Sequence, residues 1–125
     1  MAIVTRKLGS TGLDVTVLGF GAMELRGPKS PIPKGRPVDP VQAETTLNEA
    51  LDHGINLIDT SIDYGESEGL IGRFISHRRN EFLLASKCGC NADTDGVEAG
   101  NAPRHIYTRE NIINGVELSL KRLNT

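Results

Sequence analysis

Residues 54–65 read Gly54-Ile55-Asn56-Leu57-Ile58-Asp59-Thr60-Ser61-Ile62-Asp63-Tyr64-Gly65. Gly54 ends a helical pattern, and Ile55 to Thr60 then forms a short strand whose mostly apolar run suits burial on both faces, as a parallel sheet demands. That strand ends on a carboxylate, Asp59, and the chain turns away through Tyr64. In parallel α/β folds, sites assemble at C-terminal strand ends because the loops leaving them converge over the sheet. Asp59 and Tyr64 are therefore placed where chemistry is usually done.

The same alternation extends in both directions. Upstream, Ala43, Leu47, Ala50 and Leu51 share one face of a helix over Val41 to His53, with Asp39 set to cap it and Pro40 suited to its first turn. Downstream, Leu70 and Phe74, and Ile71 and Ile75, pair four apart in a second helix that the pattern ends at His77-Arg78-Arg79, where positive charge favours a C-terminus. Glu81 to Ser86, with Phe82, Leu83 and Leu84, reads as the next buried strand, followed directly by Lys87. A last helix starts near Thr108, with Ile112, Val116, Leu120 and Leu123 on its apolar stripe. At the front, Arg6 to Gly21 reads as two extended runs around Ser10-Thr11-Gly12, a hairpin over about residues 5–18. The five prolines at 28, 31, 33, 37 and 40 make residues 26–40 a surface loop. Cys88 to Pro103 is a second, polar loop.

Hairpin, strand, helix, strand, helix, strand, helix is the order of a parallel α/β sheet with right-handed crossovers. The open doubly wound sheets that bind nucleotides run Gly-x-Gly-x-x-Gly straight into a helix. Here Gly19-x-Gly21 leads into the proline-rich loop, which demotes that reading, and a small doubly wound domain complete in itself ranks last.

Composition narrows the function classes. With 14 basic and 16 acidic residues interspersed, the chain lacks the electropositive face that nucleic acid or anionic membrane requires. No hydrophobic run approaches a membrane span. Cys88 and Cys90, one residue apart, cannot close a useful loop and favour a reducing, cytoplasmic setting. No second Cys or His cluster follows at zinc spacing, so no metal site is expected.

Asp59, Tyr64 and Lys87 are the polar groups at the strand ends. Asp59 and Lys87 are expected to pair, and a lysine cation beside a phenol lowers its pKa from the usual ~10, so that it donates a proton nearer neutrality. The bland alternative is a structural ion pair beside a half-buried loop aromatic. Glu66 and Glu68 open a helix, where acidic charge is favourable without a catalytic role. His53 and His77 read as solvated helix-end residues, His105 as a helix-entrance residue away from any ligand, and Tyr107 as a phenol packed beside the helix start. Lys29, Lys34 and Arg36 read as solvated loop charges rather than phosphate ligands.

Four blocks in order decide between the two. Leu8-Gly9-Ser10-Thr11-Gly12-Leu13, Leu18-Gly19-Phe20-Gly21-Ala22-Met23, the stretch from Gly54 to Gly65, and Ser86-Lys87-Cys88-Gly89 resemble successive motifs of the aldo-keto reductase family. The Asp-Thr-Ser-x-x-Tyr-Gly block is the most specific. The resemblance implies a (β/α)8 TIM barrel plugged at its bottom by the hairpin, with residues 1–125 as the N-terminal part of that single domain: the hairpin and the first three βα units, an incomplete barrel. It implies NADPH as cofactor and reduction of aldehydes or ketones, small carbonyl substrates, to alcohols. It makes Tyr64 the acid, Lys87 and Asp59 the pair that tunes it, and Gly21, Ala22 and Met23, with Asp59, the segment facing the nicotinamide end of the cofactor. The family's remaining catalytic group, a histidine ending the fourth strand, and its phosphate and adenine contacts belong to later strands. Such barrels take ~250 residues, so the isolated chain is expected to be inactive and prone to association. A non-catalytic regulatory or binding module on the same barrel is the alternative. Neither the carbonyl substrate nor the oligomeric state is specified by these residues.

Overall fold

In the computed structural model, residues 3–28, 30, 35–90 and 105–125 are described. Most of the polar loop after Cys90, together with Lys29 and Lys34, lies outside the described residues.

Strands β1 (Thr5–Lys7) and β2 (Asp14–Thr16) pair antiparallel, Thr5 opposite Thr16 and Lys7 opposite Asp14. The turn between them needs left-handed backbone at Gly9 (φ 53°) and Gly12 (φ 78°), and the Leu8 amide closes it on the Leu13 carbonyl at 2.9 Å. Asn56, the one polar residue near the start of the central strand, ties this hairpin down. Its Oδ1 accepts the Thr16 amide at 2.8 Å, its Nδ2 donates to the Asp14 carbonyl at 2.9 Å, and its own amide donates to Thr16 Oγ1 at 3.2 Å.

The main sheet has three strands in the order β3 (Phe20–Gly21), β4 (Leu57–Asp59), β5 (Leu83–Ala85), and both pairings are parallel. Helix α1 (Pro40–Asp52) lies between β3 and β4, α2 (Ser67–Ile75) between β4 and β5, and α3 (Arg109–Leu123) follows β5. The expected α/β alternation with a parallel sheet is therefore present. The Asp39 side chain accepts the Val41 amide at 2.9 Å to cap α1, Pro40 fills its first turn, and Gly54 (φ 87°) releases the chain. Ala43, Leu47, Ala50 and Leu51 are the buried face. Ala43, Leu47 and Leu51 join Ile58, Ile71, Phe74, Ile75 and Phe82 in one core between helices and sheet, each fully buried large side chain contributing about 1.5–3 kcal/mol.

Four local expectations fail, each for a stated reason. The α-helical part of α2 stops at Ile75 and the chain continues as a 3-10 helix over Ser76–Glu81. Arg78 bends it there by reaching Asp52 (2.7 Å), Glu81 (2.6 Å) and Asn48 Oδ1 (3.0 Å) at once, so that its charge is paired across the surface. Strand β5 is only half-buried, because among the described residues nothing pairs with its outer edge; Phe82 just before it is the buried member. Residues 26–40 are not wholly a surface loop. Ala22–Arg26 is a 3-10 helix, and Arg26, Gly27 and Ser30 are buried because the Arg26 carbonyl accepts the Glu66 amide at 3.0 Å and the Ser30 hydroxyl donates to the Asp63 carbonyl at 3.2 Å.

The fourth concerns α3, whose buried residues are Gly115, Ser119 and Leu123. Val116 and Leu120 of the expected stripe stand 44% and 41% exposed. Close approach of α2 rotates the helix: a Cβ at Gly72 would lie 2.8 Å from the Leu123 carbonyl carbon and would collide with the Arg122 carbonyl oxygen. Small residues set that crossing, and the large ones are left to line a cleft of about 250 Å³ beside Leu84, Lys87 and Cys88.

Candidate active site

Gly21, Asp59 and Ala85 stand opposite one another across the three parallel strands. The ladder continues one step beyond, where the Thr60 amide donates to the Ala85 carbonyl at 2.9 Å. Lys87, two residues past Ala85, is thus delivered to the same end of the sheet as Asp59.

Its ammonium makes three contacts. Nζ donates to Asp59 Oδ2 at 2.8 Å and to the Thr60 carbonyl at 2.7 Å, and it sits 4.9 Å from the centroid of the Tyr64 ring, within cation–π range. Partial burial pulls the Lys87 pKa down, but the hydrogen bond and charge of Asp59, followed by Tyr64, outweigh it and leave the lysine above its ordinary value. The cation is therefore held, not quenched. About half of each of the two side chains remains open to solvent, so the pair is reachable from outside.

Tyr64 is fixed by its turn. Its amide donates to the Ser61 carbonyl at 3.1 Å and its carbonyl accepts the Ser67 amide at 2.8 Å. The next residue, Gly65, has φ 45° and is pressed against Arg26. Beneath, the Ser67 hydroxyl donates to the Ala22 carbonyl at 2.9 Å and pairs with Thr60 Oγ1 at 2.9 Å, joining the ends of β3 and β4 to the start of α2. Ala22 is fully buried by this contact, whereas Gly21 is exposed with open space where a Cβ would stand, and Met23 is exposed too. The structure so brings Asp59, Tyr64 and Lys87 together and sets Gly21 beside Asp59.

Other candidates stand apart. The Cys90 thiol is buried and its pKa is pushed up to about 11, by burial first and then by Asp63, while Cys88 is exposed. Among the described residues no three Cys, His, Asp or Glu side chains gather as a metal site requires. His105 is exposed and stacks on Tyr107 at 6.0 Å. Tyr107, expected to pack beside the helix start, is 73% exposed, and one edge of its ring lies over Gly89 instead, where a Cβ would meet it at 2.5 Å. Among the described residues no helix is long and apolar enough to cross a membrane. What the sequence did not signal is the burial of Glu68. It is 1% exposed and accepts the Ser86 hydroxyl at 2.7 Å, although an acid at a helix start ordinarily faces water.

A family model described as the aldo/keto reductase family matches residues 17–125. The chain belongs to that family. An uncharacterized oxidoreductase of Bacillus subtilis is 36% identical over 123 residues, 96% of this chain and 35% of that protein. L-Galactose dehydrogenase of Arabidopsis thaliana is 37% identical over 92 residues, 70% of this chain and 27% of that protein. Among solved structures, glycerol dehydrogenase from Gluconobacter oxydans is 29% identical with a TM-score of 0.74, covering 100% of this chain and 37% of that one. This aldo/keto reductase chain thus spans about a third of the length of the curated relatives it matches. Three of its four sequence blocks lie within the matched region and the first, Leu8 to Leu13, precedes it.

Proposed function

We propose that these residues form the N-terminal part of an NADPH-dependent carbonyl reductase: the bottom hairpin and first three βα units of a (β/α)8 barrel that works on small aldehydes or ketones in the cytoplasm. The observation that carries the reading is the Lys87 ammonium, which binds Asp59 at 2.8 Å while lying 4.9 Å from the Tyr64 ring centroid.

Tyr64 acts as the acid. Its phenol delivers a proton to the carbonyl oxygen of the substrate and is left as phenolate, to be reprotonated from solvent. A cation next to the ring stabilises that phenolate and so eases proton release. Asp59 keeps the cation charged, and the Thr60 carbonyl, 2.7 Å from Nζ, holds it in place. The chemistry supplied by bound NADPH is hydride donation to the carbonyl carbon. Gly21, Met23 and Asp59 would hold its nicotinamide end, with Ala22 anchoring that segment from below. The fit rests on Gly21, whose exposed backbone stands opposite Asp59 with nothing within 4 Å of a Cβ position, leaving room for a flat ring.

The test is Tyr64→Phe in the protein expressed from its complete coding sequence. Carbonyl-dependent NADPH oxidation is expected to fall by about 10²–10⁴-fold, the usual contribution of a general acid, with NADPH binding retained by fluorescence titration. Undiminished turnover refutes the assignment. Residues 1–125 expressed on their own are expected to bind NADPH poorly and to reduce no carbonyl, since closing such a barrel takes ~250 residues. Saturable micromolar binding by a monomeric preparation would contradict that.

A further inference from the structure

Glu68 carries a carboxylate into the interior at the first turn of α2, where side chains from two other segments meet it. Ser86 Oγ donates to Oε1 at 2.7 Å. Arg122 Nη1, from the last turn of α3, lies 3.5 Å from Oε2. That is an ionic contact too long for a good hydrogen bond, and Oε2 accepts no hydrogen bond among the described residues. The same Arg122 nitrogen donates to the Ile62 carbonyl at 3.1 Å. Ser86 directly precedes Lys87, and Ile62 stands two residues before Tyr64. One buried carboxylate therefore joins the strand end that carries Lys87 to the turn that carries Tyr64, with Arg122 as the second link.

Stability does not account for this arrangement. Removing a carboxylate from water costs several kcal/mol, and replacing a buried ion pair by apolar groups of similar volume is often neutral or stabilising. Apolar material is at hand, since Ile71, Phe74 and Ile75 of the same helix are buried. A buried charge that contributes little to stability but connects both halves of a site has a positional role.

We propose that Glu68 is a positioning residue: through Ser86 and Arg122 it fixes the spacing between the Lys87 ammonium and the Tyr64 ring. The inference rests on the reading of Asp59, Tyr64 and Lys87 as the proton-handling site.

The test uses the protein expressed from its complete coding sequence, with Ser86→Ala, Glu68→Leu and Glu68→Gln measured beside Tyr64→Phe. Ser86→Ala removes one hydroxyl and leaves the Glu68–Arg122 contact. Its kcat falls about tenfold with NADPH binding unchanged, because a misplacement of about 1 Å costs up to ~100-fold. The alkaline limb of its kcat profile moves to higher pH, since a phenol farther from a cation holds its proton more tightly. Glu68→Leu takes one partner from both Arg122 and Ser86 and so lowers the thermal midpoint, and it shows the same slowing and the same moved limb. Glu68→Gln, which retains a carbonyl oxygen for Ser86, recovers part of the loss. If Glu68→Leu fails to fold, Ser86→Ala decides alone. Parent kcat and an unmoved limb in Ser86→Ala, with Tyr64→Phe inactive, overturn the role of Glu68 and leave the site intact. Full activity in Tyr64→Phe overturns the reading of the site, and this inference with it.

Discussion

Gly65 lies against the backbone of Arg26 so closely that a Cβ at position 65 would run into the Arg26 carbonyl oxygen and come within 3.2 Å of Ser30 Cα. Gly65 also has φ 45°, a conformation strained for any other residue. The contact joins the turn that bears Tyr64 to the start of the proline-rich loop. Gly65→Ala should therefore destabilise by more than ~1 kcal/mol, since alanine at a positive φ loses what glycine tolerates, and should shift Tyr64 relative to Lys87. A lowered thermal midpoint together with lowered turnover is the expected result. A midpoint equal to that of the parent would show that the turn relaxes freely.

At alkaline pH two groups should weaken the fold in separate windows. Cys90 has a folded pKa of about 11 against an ordinary 9.0, so the native state binds the proton more tightly than the unfolded chain does. Its contribution is complete below pH 9.0 and is lost as pH rises toward about 11. Lys87, also raised, contributes fully below 10.5 and loses its contribution above that value. Because the Lys87–Asp59 pair is half-exposed, solvent screening keeps its part below ~1 kcal/mol. Denaturant midpoints measured from pH 8 to 11, pH values at which the carboxylates stay ionised, should decline more gently in Cys90→Ala through the lower window and in Lys87→Met only at the top. At pH 8 a thiol reagent should modify Cys88 quickly and Cys90 slowly, because only Cys88 is exposed.

Asn56→Ala should detach the hairpin. Thr16 is buried, and losing Asn56 Oδ1 leaves its amide without that 2.8 Å bond. An orphaned buried donor costs about 1–3 kcal/mol. Hydrogen exchange should accelerate at the Thr16 amide first, while amides in α1 keep their protection. Uniform acceleration throughout the chain would instead make the hairpin part of one cooperative unit.

Signals contained within a few residues were readable from the sequence. Asp39 and Pro40 start α1 and Gly54 ends it by local hydrogen-bonding and backbone rules, and the meeting of Lys87 with Asp59 and Tyr64 follows from the element order alone, since the ends of parallel strands converge. Encounters that the order of strands and helices does not dictate were not. The apolar stripe of α3 predicted Val116 and Leu120 inside, but Gly72 brings α2 against Arg122 and turns that stripe outward. Glu68 illustrates the same limit: its place in a first turn already had a sufficient electrostatic reason, so nothing in its neighbourhood announced Ser86, eighteen residues on, as its partner. The basic run at Arg78 favours a helix end on local grounds, yet its partner Asp52 belongs to α1.

Two glycines of α2 separate packing from propensity. Gly69 has nothing within 4 Å of a Cβ position, whereas Gly72 faces the Leu123 carbonyl carbon at 2.8 Å and the Arg122 carbonyl oxygen closer still. Gly69→Ala should stabilise the protein by about 0.4–1 kcal/mol, because alanine narrows the unfolded ensemble and fits the helix. Gly72→Ala should destabilise it by about 1–3 kcal/mol, the usual cost of overpacking a close contact. It should also push α3 outward, carrying Arg122 away from Glu68 and Ile62. Thermal midpoints of the two variants should thus move in opposite directions although they lie one helical turn apart. Equal shifts would mean that helix propensity, and not the approach of α3, governs this face.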